Sequence, residues 1–370
     1  MSKLSPELRV VEYQNEWIVR SHFSFAYERG DEPRLAQLAE RYRLHDVVAA
    51  GQTEWDQLLL LRDWVHGRWR HGWSSAPLDN ALEILARAEQ GHDFDCEHYA
   101  ATLLQCALAL GFQARRLDIG KADTAWIAPD EENVGHSVTE VWSQDWHKWV
   151  VLDADLNLYY EHQGTPLHGL EIHRLWKSGR WREVRLVRGT VPFRVTNSAE
   201  SGYGRRFSPQ WIADIFADFT RRNATDYYSL LCWQMRNDFF SSIEAAPNLR
   251  WFDDTEFPQL VHWNLPIPAD RWTCEERDAY WTLNQAQIHL RLVADDLTAP
   301  EVRVELEHSM PNLDQLLMKL GEDSPWQRYE EPFNWRIQAG KNVVEAKPLS
   351  RFGREGYTSR IVLRYLDPRV

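Results

Sequence analysis

The chain has 370 residues, 42 Lys and Arg against 55 Asp and Glu, and a net charge of −13. An acidic chain with no basic run interleaved with aromatics argues against nucleic acid as a partner. No stretch of about eighteen apolar residues argues for a membrane span, and four cysteines, Cys96, Cys106, Cys232 and Cys274, are too few and scattered for a disulfide scaffold. The start of the sequence has no apolar h-region, so the expectation is a soluble, cytoplasmic protein of two or three domains. The 19 tryptophans are read first as core; stacking on a glycan is the second reading.

Residues 8–27 are β-branched and aromatic with partial alternation, which predicts one or two strands. Helices are predicted over 32–43, 54–69 and 79–88; the second carries Leu58, Leu61, Trp64 and Val65 at helical spacing. From Cys96 the sequence runs through strong helix formers without Gly or Pro until Gly111, with Asp93 or Asp95 available as N-cap. Cys96 therefore falls in the first turn of an apolar helix. Unpaired N–H groups and the helix dipole there favour a thiolate, which predicts a lowered thiol pKa and offers an oxyanion donor.

A strand follows at 113–119, predicted as an edge of its sheet, and then a polar loop at 121–134. His136 opens an alternating segment in which Val138, Glu140 and Trp142 share one face. A short polar turn leads to a second β-rich run ending at Asp153, so the pair is predicted as an antiparallel hairpin. Adjacent strands bring a His on one within reach of an Asp on the next. The separations are 136 − 96 = 40 and 153 − 136 = 17 residues. The candidate device is Cys96 as nucleophile, His136 as base and Asp153 as the group that orients the base. His98 is set aside as too close in sequence to Cys96, and Asp155 as the neighbour most easily confused with Asp153.

Three blocks carry a resemblance: Cys96 with Tyr99 and Ala100, then Leu110-Gly111-Phe112 with Ala114 and Arg115; Gly135-His136 with Glu140-Val141-Trp142; and Trp149-Val150 with Leu152-Asp153. In this order and spacing they resemble the transglutaminase-like, papain-related cysteine enzyme superfamily over roughly residues 55–160. The resemblance implies a catalytic triad of Cys96, His136 and Asp153, a thioester intermediate, and hydrolysis or transfer of an amide or peptide substrate. For bacterial chains with appended modules it leans to hydrolysis. It also implies an upstream tryptophan at the oxyanion, for which Trp69 and Trp73 are the candidates nearest the helix start. Trp126 and Glu140 are assigned to the substrate side of the site. Phe94 stands where the family often has Gly, and Val138 where it often has an aromatic. Nothing resembles the calcium loops of animal cross-linking relatives, so no metal or cofactor is expected.

His162, His168 and His173 have spacings that match no zinc template. Trp181–Arg188 is predicted as a strand. Residues 209–222 and 226–243 each carry an apolar stripe at helical spacing, and with 247–272 they are read as a helical connecting segment. Residues 287–292, 301–307 and 360–365 alternate strictly, with turn signals between them. The run 331–346 resembles the last strands of immunoglobulin-like modules in bacterial carbohydrate-active enzymes.

The predicted architecture is α+β. A papain/transglutaminase-like core of a helix packed on an antiparallel sheet (1–190) is followed by a helical segment (191–272) and a β-sandwich (273–370). The alternative function is a transglutaminase-like protein that binds a glycan without catalysis, or processes one with carboxylates.

Overall fold

The computed structural model describes residues 6–72, 80–120, 135–194, 221–242, 248–252, 271–294 and 297–366. The chain divides into two compact units, one of residues 21–280 and one made from both chain ends, 1–20 and 281–370. Elements of both types are present, with most strands antiparallel.

Strand β1 (Glu7–Gln14) belongs to the unit of the chain ends. The first helices follow: α1 (Pro33–Arg41), α2 (Leu44–Val48), α3 (Glu54–His66), α4 (Ala81–Ala88) and α5 (Cys96–Ala109). Helix α3 begins with a capping box between Thr53 and Asp56, which satisfies two N–H groups that no helical carbonyl can reach. Helix α5 is buried from His98 to Ala109, and α1, α3 and α4 pack around it. It ends at Gly111, whose φ of 81° is a left-handed conformation that costs glycine little. The amide of Phe112 turns back to the carbonyl of Ala107 at 3.0 Å.

The sheet of this unit is built from β2 (Ala114–Gly120), β3 (Gly135–Ser143), β4 (Lys148–Asp153), β5 (Leu158–His162), β6 (Thr165–Pro166), β7 (Arg185–Arg188), β8 (Leu230–Gln234), β9 (Asn248–Trp251) and β10 (Trp272–Thr273). Its order is β10-β9-β8-β2-β3-β4-β5-β6, with β7 beside β5. The β3–β4 hairpin forms as expected, pairing Trp142 with Trp149 across a turn in which His147 takes a φ of 50°. Helix α6 (Gly169–Lys177) follows β6, capped by His168 and Glu171.

Two expectations change here. Strand β2 is interior, because β8 pairs along its far side. The stripe Tyr228, Leu231, Met235 and Phe239 is not a helix: residues 230–234 form β8. Leu231, Cys232 and Trp233 are consecutive and all buried, as a strand covered on both faces requires. Residues 209–220 lie outside the described residues.

The unit of the chain ends holds β11 (Ala286–Leu292), β12 (Glu301–His308), β13 (Leu313–Leu320), β14 (Gln327–Tyr329), β15 (Phe333–Arg336), β16 (Gly340–Ser350) and β17 (Ser359–Leu366). One sheet runs β1-β17-β16-β13-β14 and the other β11-β12-β15. Ile288, Val302 and Val304 of the smaller sheet share one apolar core with Met318, Val344, Ile361, Leu363 and Tyr365 of the larger. Strand β1 was expected in the first domain; it pairs instead with the last strand, β17. Asn15, just beyond β1, ties this segment to the second sheet. Its amide donates to the Ile288 carbonyl and accepts from the Ile288 N–H, both at 2.8 Å.

Candidate functional site

Cys96 is the first residue of α5 and is partly exposed. Asp95 caps the helix, its carboxylate accepting from the Glu97 N–H at 3.1 Å and from His98 Nδ1 at 2.8 Å. His98 therefore turns to the cap, against the Phe94 ring at 4.8 Å. His136 is the second residue of β3 and Asp153 closes β4. His136 Nε2 lies 2.8 Å from Asp153 Oδ2, and Asp153 Oδ1 accepts from the Leu156 N–H at 2.8 Å. With Nε2 engaged, Nδ1 is the ring nitrogen left for Cys96. Helix α5 is held to β3 near this point by the Thr139 hydroxyl, which donates to the Ala100 carbonyl at 2.9 Å.

The structure also brings in two residues that the sequence reading set aside or missed. The Asp155 carboxylate sits in the turn after β4. Its oxygen, the Cys96 Sγ and a His136 ring nitrogen all lie within 4.8 Å of one another. Behind Asp155 stands His71, whose Nδ1 is 2.9 Å from both carboxylate oxygens. His71 is placed by a bridge to Phe94, with the Gly72 N–H donating to the Phe94 carbonyl at 2.9 Å. No periodicity marks His71 in the sequence. Its position follows from a backbone contact 23 residues away in the chain (94 − 71). Asp155 carried a signal, its closeness to Asp153, but sequence could not aim the two carboxylates at different histidines.

Burial acts against charge on His136, but the Asp153 carboxylate and then Cys96 outweigh it and hold the imidazolium well above the usual histidine range. Burial likewise opposes a charged His71, and Asp155 raises it above the ordinary value. Burial pushes the Cys96 thiol up to about 11; His136 pulls it down by hydrogen bond and charge, while Asp95 and Asp155 add to the rise. This corrects the expectation of a lowered thiol. Desolvation is the largest of these influences, and Asp95 and Asp155 act in the same direction. Arg116 adds positive charge within electrostatic reach of Cys96. Its guanidinium is held by Asp118 at 2.6 Å, Glu97 at 2.8 Å and the Ser137 hydroxyl at 3.1 Å.

The other expected site residues fare differently. The Trp69 ring packs against Tyr99 at 4.5 Å and Phe94 at 5.4 Å. Its indole N–H is buried with no hydrogen-bond partner among the described residues. Trp73 and Trp126 lie outside the described residues. Glu140 is not on the substrate side of the site. It is 0 % exposed, and its carboxylate accepts five hydrogen bonds: two from Arg115 at 2.9 and 2.7 Å, one from Trp233 at 3.0 Å, one from Tyr280 at 2.7 Å and one from the Gly169 N–H at 2.9 Å. A carboxylate saturated in this way has no lone pair left for a substrate. His162, His168 and His173 do not converge: they face Glu183, the start of α6 and the Tyr228 carbonyl respectively.

Among the described residues no helix is long and apolar enough to cross a membrane. No protein-family model matches the chain, and no curated protein matches it by sequence. A solved structure from Cytophaga hutchinsonii, provisionally named a cysteine protease, is similar at a TM-score of 0.27 and 13% identity. The match spans 48% of this chain and 58% of that one, so the chain covers a little over half of the neighbour's length. So slight a likeness carries no function across.

Proposed function

We propose that the chain is a cysteine hydrolase of the transglutaminase-like superfamily that cleaves an amide or peptide bond through a thioester. The observation that supports it most is the meeting of Cys96 at a helix start with His136 and Asp153 on neighbouring strands, the last two 2.8 Å apart. In this reading His136 Nδ1 takes the thiol proton as Cys96 attacks the acyl carbon. Asp153 fixes the ring tautomer and supports the imidazolium. His136 then returns the proton to the leaving amine, and water attacks the thioester by the reverse sequence. The Cys96 N–H, at a helix position that no helical carbonyl reaches, and the Trp69 indole N–H are the proposed oxyanion donors.

The raised thiol pKa is compatible with this mechanism. Cys96 and His136 exchange one proton as a coupled pair, and the form that attacks is the thiolate beside the imidazolium. The substrate class is peptide, protein or another amide. The unit of the chain ends is proposed as an immunoglobulin-like β-sandwich, its two sheets closing on one core.

The test is acyl-enzyme trapping. The protein is incubated with a library of peptide amides and quenched in acid, and intact mass and peptide mapping follow, with turnover read in parallel. The expected result is turnover with an acyl adduct on Cys96, and neither in Cys96→Ala. Full turnover in Cys96→Ala would refute the reading.

A further inference from the structure

We propose that Cys96, His136 and Asp155 form a binding site for a zinc-like divalent cation, and that the ion switches the nucleophile off. The inhibitory consequence rests on the cysteine-hydrolase reading; the binding itself does not.

The three side chains offer one sulfur, one imidazole nitrogen and one carboxylate oxygen, all within 4.8 Å of one another. Zinc bonds of about 2.0–2.3 Å in a tetrahedron place ligand atoms about 3.3–3.8 Å apart. Closing the site therefore needs side-chain shifts on the order of 1 Å. The ligand set also selects the ion, since thiolate and imidazole favour zinc-like metals over Mg²⁺ or Ca²⁺. Three protein ligands leave a fourth position for water.

The outer shell is already in place, and it lifts this cluster above a chance grouping. Asp153 holds the far nitrogen of His136 at 2.8 Å, the carboxylate–histidine arrangement that orients metal-bound imidazoles. His71 holds the Asp155 carboxylate at 2.9 Å, leaving further oxygen lone pairs for an ion. Each ligand side chain other than the cysteine is thus pinned from behind by a buried partner. Binding forms S–metal, N–metal and O–metal bonds. It releases to solvent the thiol proton and any proton on the ring nitrogen that faces it. No electron is transferred. The sulfur lone pair that would attack an acyl carbon is then committed to the metal.

A second grouping, His22, Glu275 and Asp278, serves as the internal control. It has no sulfur, and Asp278 already accepts from the His22 N–H at 2.9 Å and the Thr273 hydroxyl at 2.7 Å.

The experiment uses Co²⁺ as an optical probe and Zn²⁺ as the competitor on the full chain. The expected result is a sulfur-to-cobalt charge-transfer band saturating at one ion per chain and displaced by Zn²⁺. The band is lost in Cys96→Ser and unchanged in His22→Ala. His71→Gln lowers the affinity roughly 10–100-fold, and Asp155→Asn lowers it further. If Asp155→Asn fails to fold, His71→Gln carries the test. In parallel, Zn²⁺ slows iodoacetamide labelling of Cys96 at least tenfold, while the exposed Cys274 continues to react. A band of wild-type strength in both Asp155→Asn and His71→Gln overturns the site, as does a band that survives Cys96→Ser. Amide turnover that rises with Zn²⁺ overturns the inhibitory role. If no amide is turned over but the cobalt band behaves as described, the hydrolase reading fails and the metal site stands. Turnover without a cobalt band is the converse result.

Discussion

His136 and Glu140 lie four residues apart on β3, on the same strand face by spacing, and both are buried. Around Glu140 five donors converge from Arg115, Trp233, Tyr280 and the start of α6. The Arg115 guanidinium also lies over Trp149 at 4.3 Å and Tyr280 at 5.0 Å. At His136 the ring stands between the buried Asp153 carboxylate on one side and the partly exposed residue Cys96 on the other. The same sheet thus holds a polar cluster whose carboxylate is fully engaged and a polar cluster that ends on a cysteine. Burial and charge alone do not distinguish a structural ion pair from a site; the difference lies in which atoms are still available.

The sharpest way to break the comparison is Cys96→Ala. Amide turnover should fall by roughly four orders of magnitude or more, while the melting temperature stays near wild type. Steady-state kinetics beside calorimetry would check it. Asp153→Asn comes next. It keeps the shape but offers the wrong partner to His136 Nε2, and kcat should drop roughly 10²–10⁴-fold with a smaller change in KM.

Further along the strand, Glu140→Ala should leave the Arg115 charge buried without its carboxylate. The expected loss is about 3–5 kcal/mol of stability, read by urea denaturation. A loss below about 1 kcal/mol would mean the cluster is not structural. Gly169→Ala is a milder probe of the same place. A Cβ there would come within 2.5 Å of the Leu117 side chain and 3.2 Å of the Tyr280 hydroxyl. The expected cost is about 1–3 kcal/mol, with turnover per folded molecule retained.

The smallest effect concerns pH. His168 is stacked on Tyr280 at 3.7 Å and is held well below the usual histidine range by burial, then by Lys148, Arg115 and Arg174. Glu171 and Glu276 face the same ring at 3.6 and 3.7 Å. Its folded-state pKa is depressed, so below about pH 6.5 the unfolded chain binds the proton that the folded chain refuses. Stability is therefore full above that pH and falls as the solution is acidified, by at most about 1.4 kcal/mol per pH unit from this group. His168→Gln should flatten that slope between pH 5 and 6.5. An unchanged slope would assign the acid sensitivity to other groups.

Much of the local structure was legible. The helix after Cys96 follows from a run of helix formers between Asp95 and Gly111, and the β3–β4 hairpin from alternation and a polar turn. The 17-residue spacing then allowed His136 and Asp153 to meet. The 226–243 stripe misled because its apolar residues recur near helical spacing while Leu231, Cys232 and Trp233 form a strand buried on both faces. Glu140 misled because a charged residue on a strand was assigned to a substrate, when its partners lie 25 residues upstream and 29, 93 and 140 residues downstream.

The sequence by itself determined part of the local structure: the helix from Cys96, the β3–β4 hairpin, and which residue types stand at the start of α5 and along β3 and β4. These depend on interactions within a few residues of each other. Only the tertiary structure decided the partners. It sent β1 to β17, slid β8 against β2, put His71 behind Asp155, and raised the Cys96 thiol where the helix start alone would lower it. Those outcomes depend on desolvation and on contacts between distant residues, which no local pattern encodes.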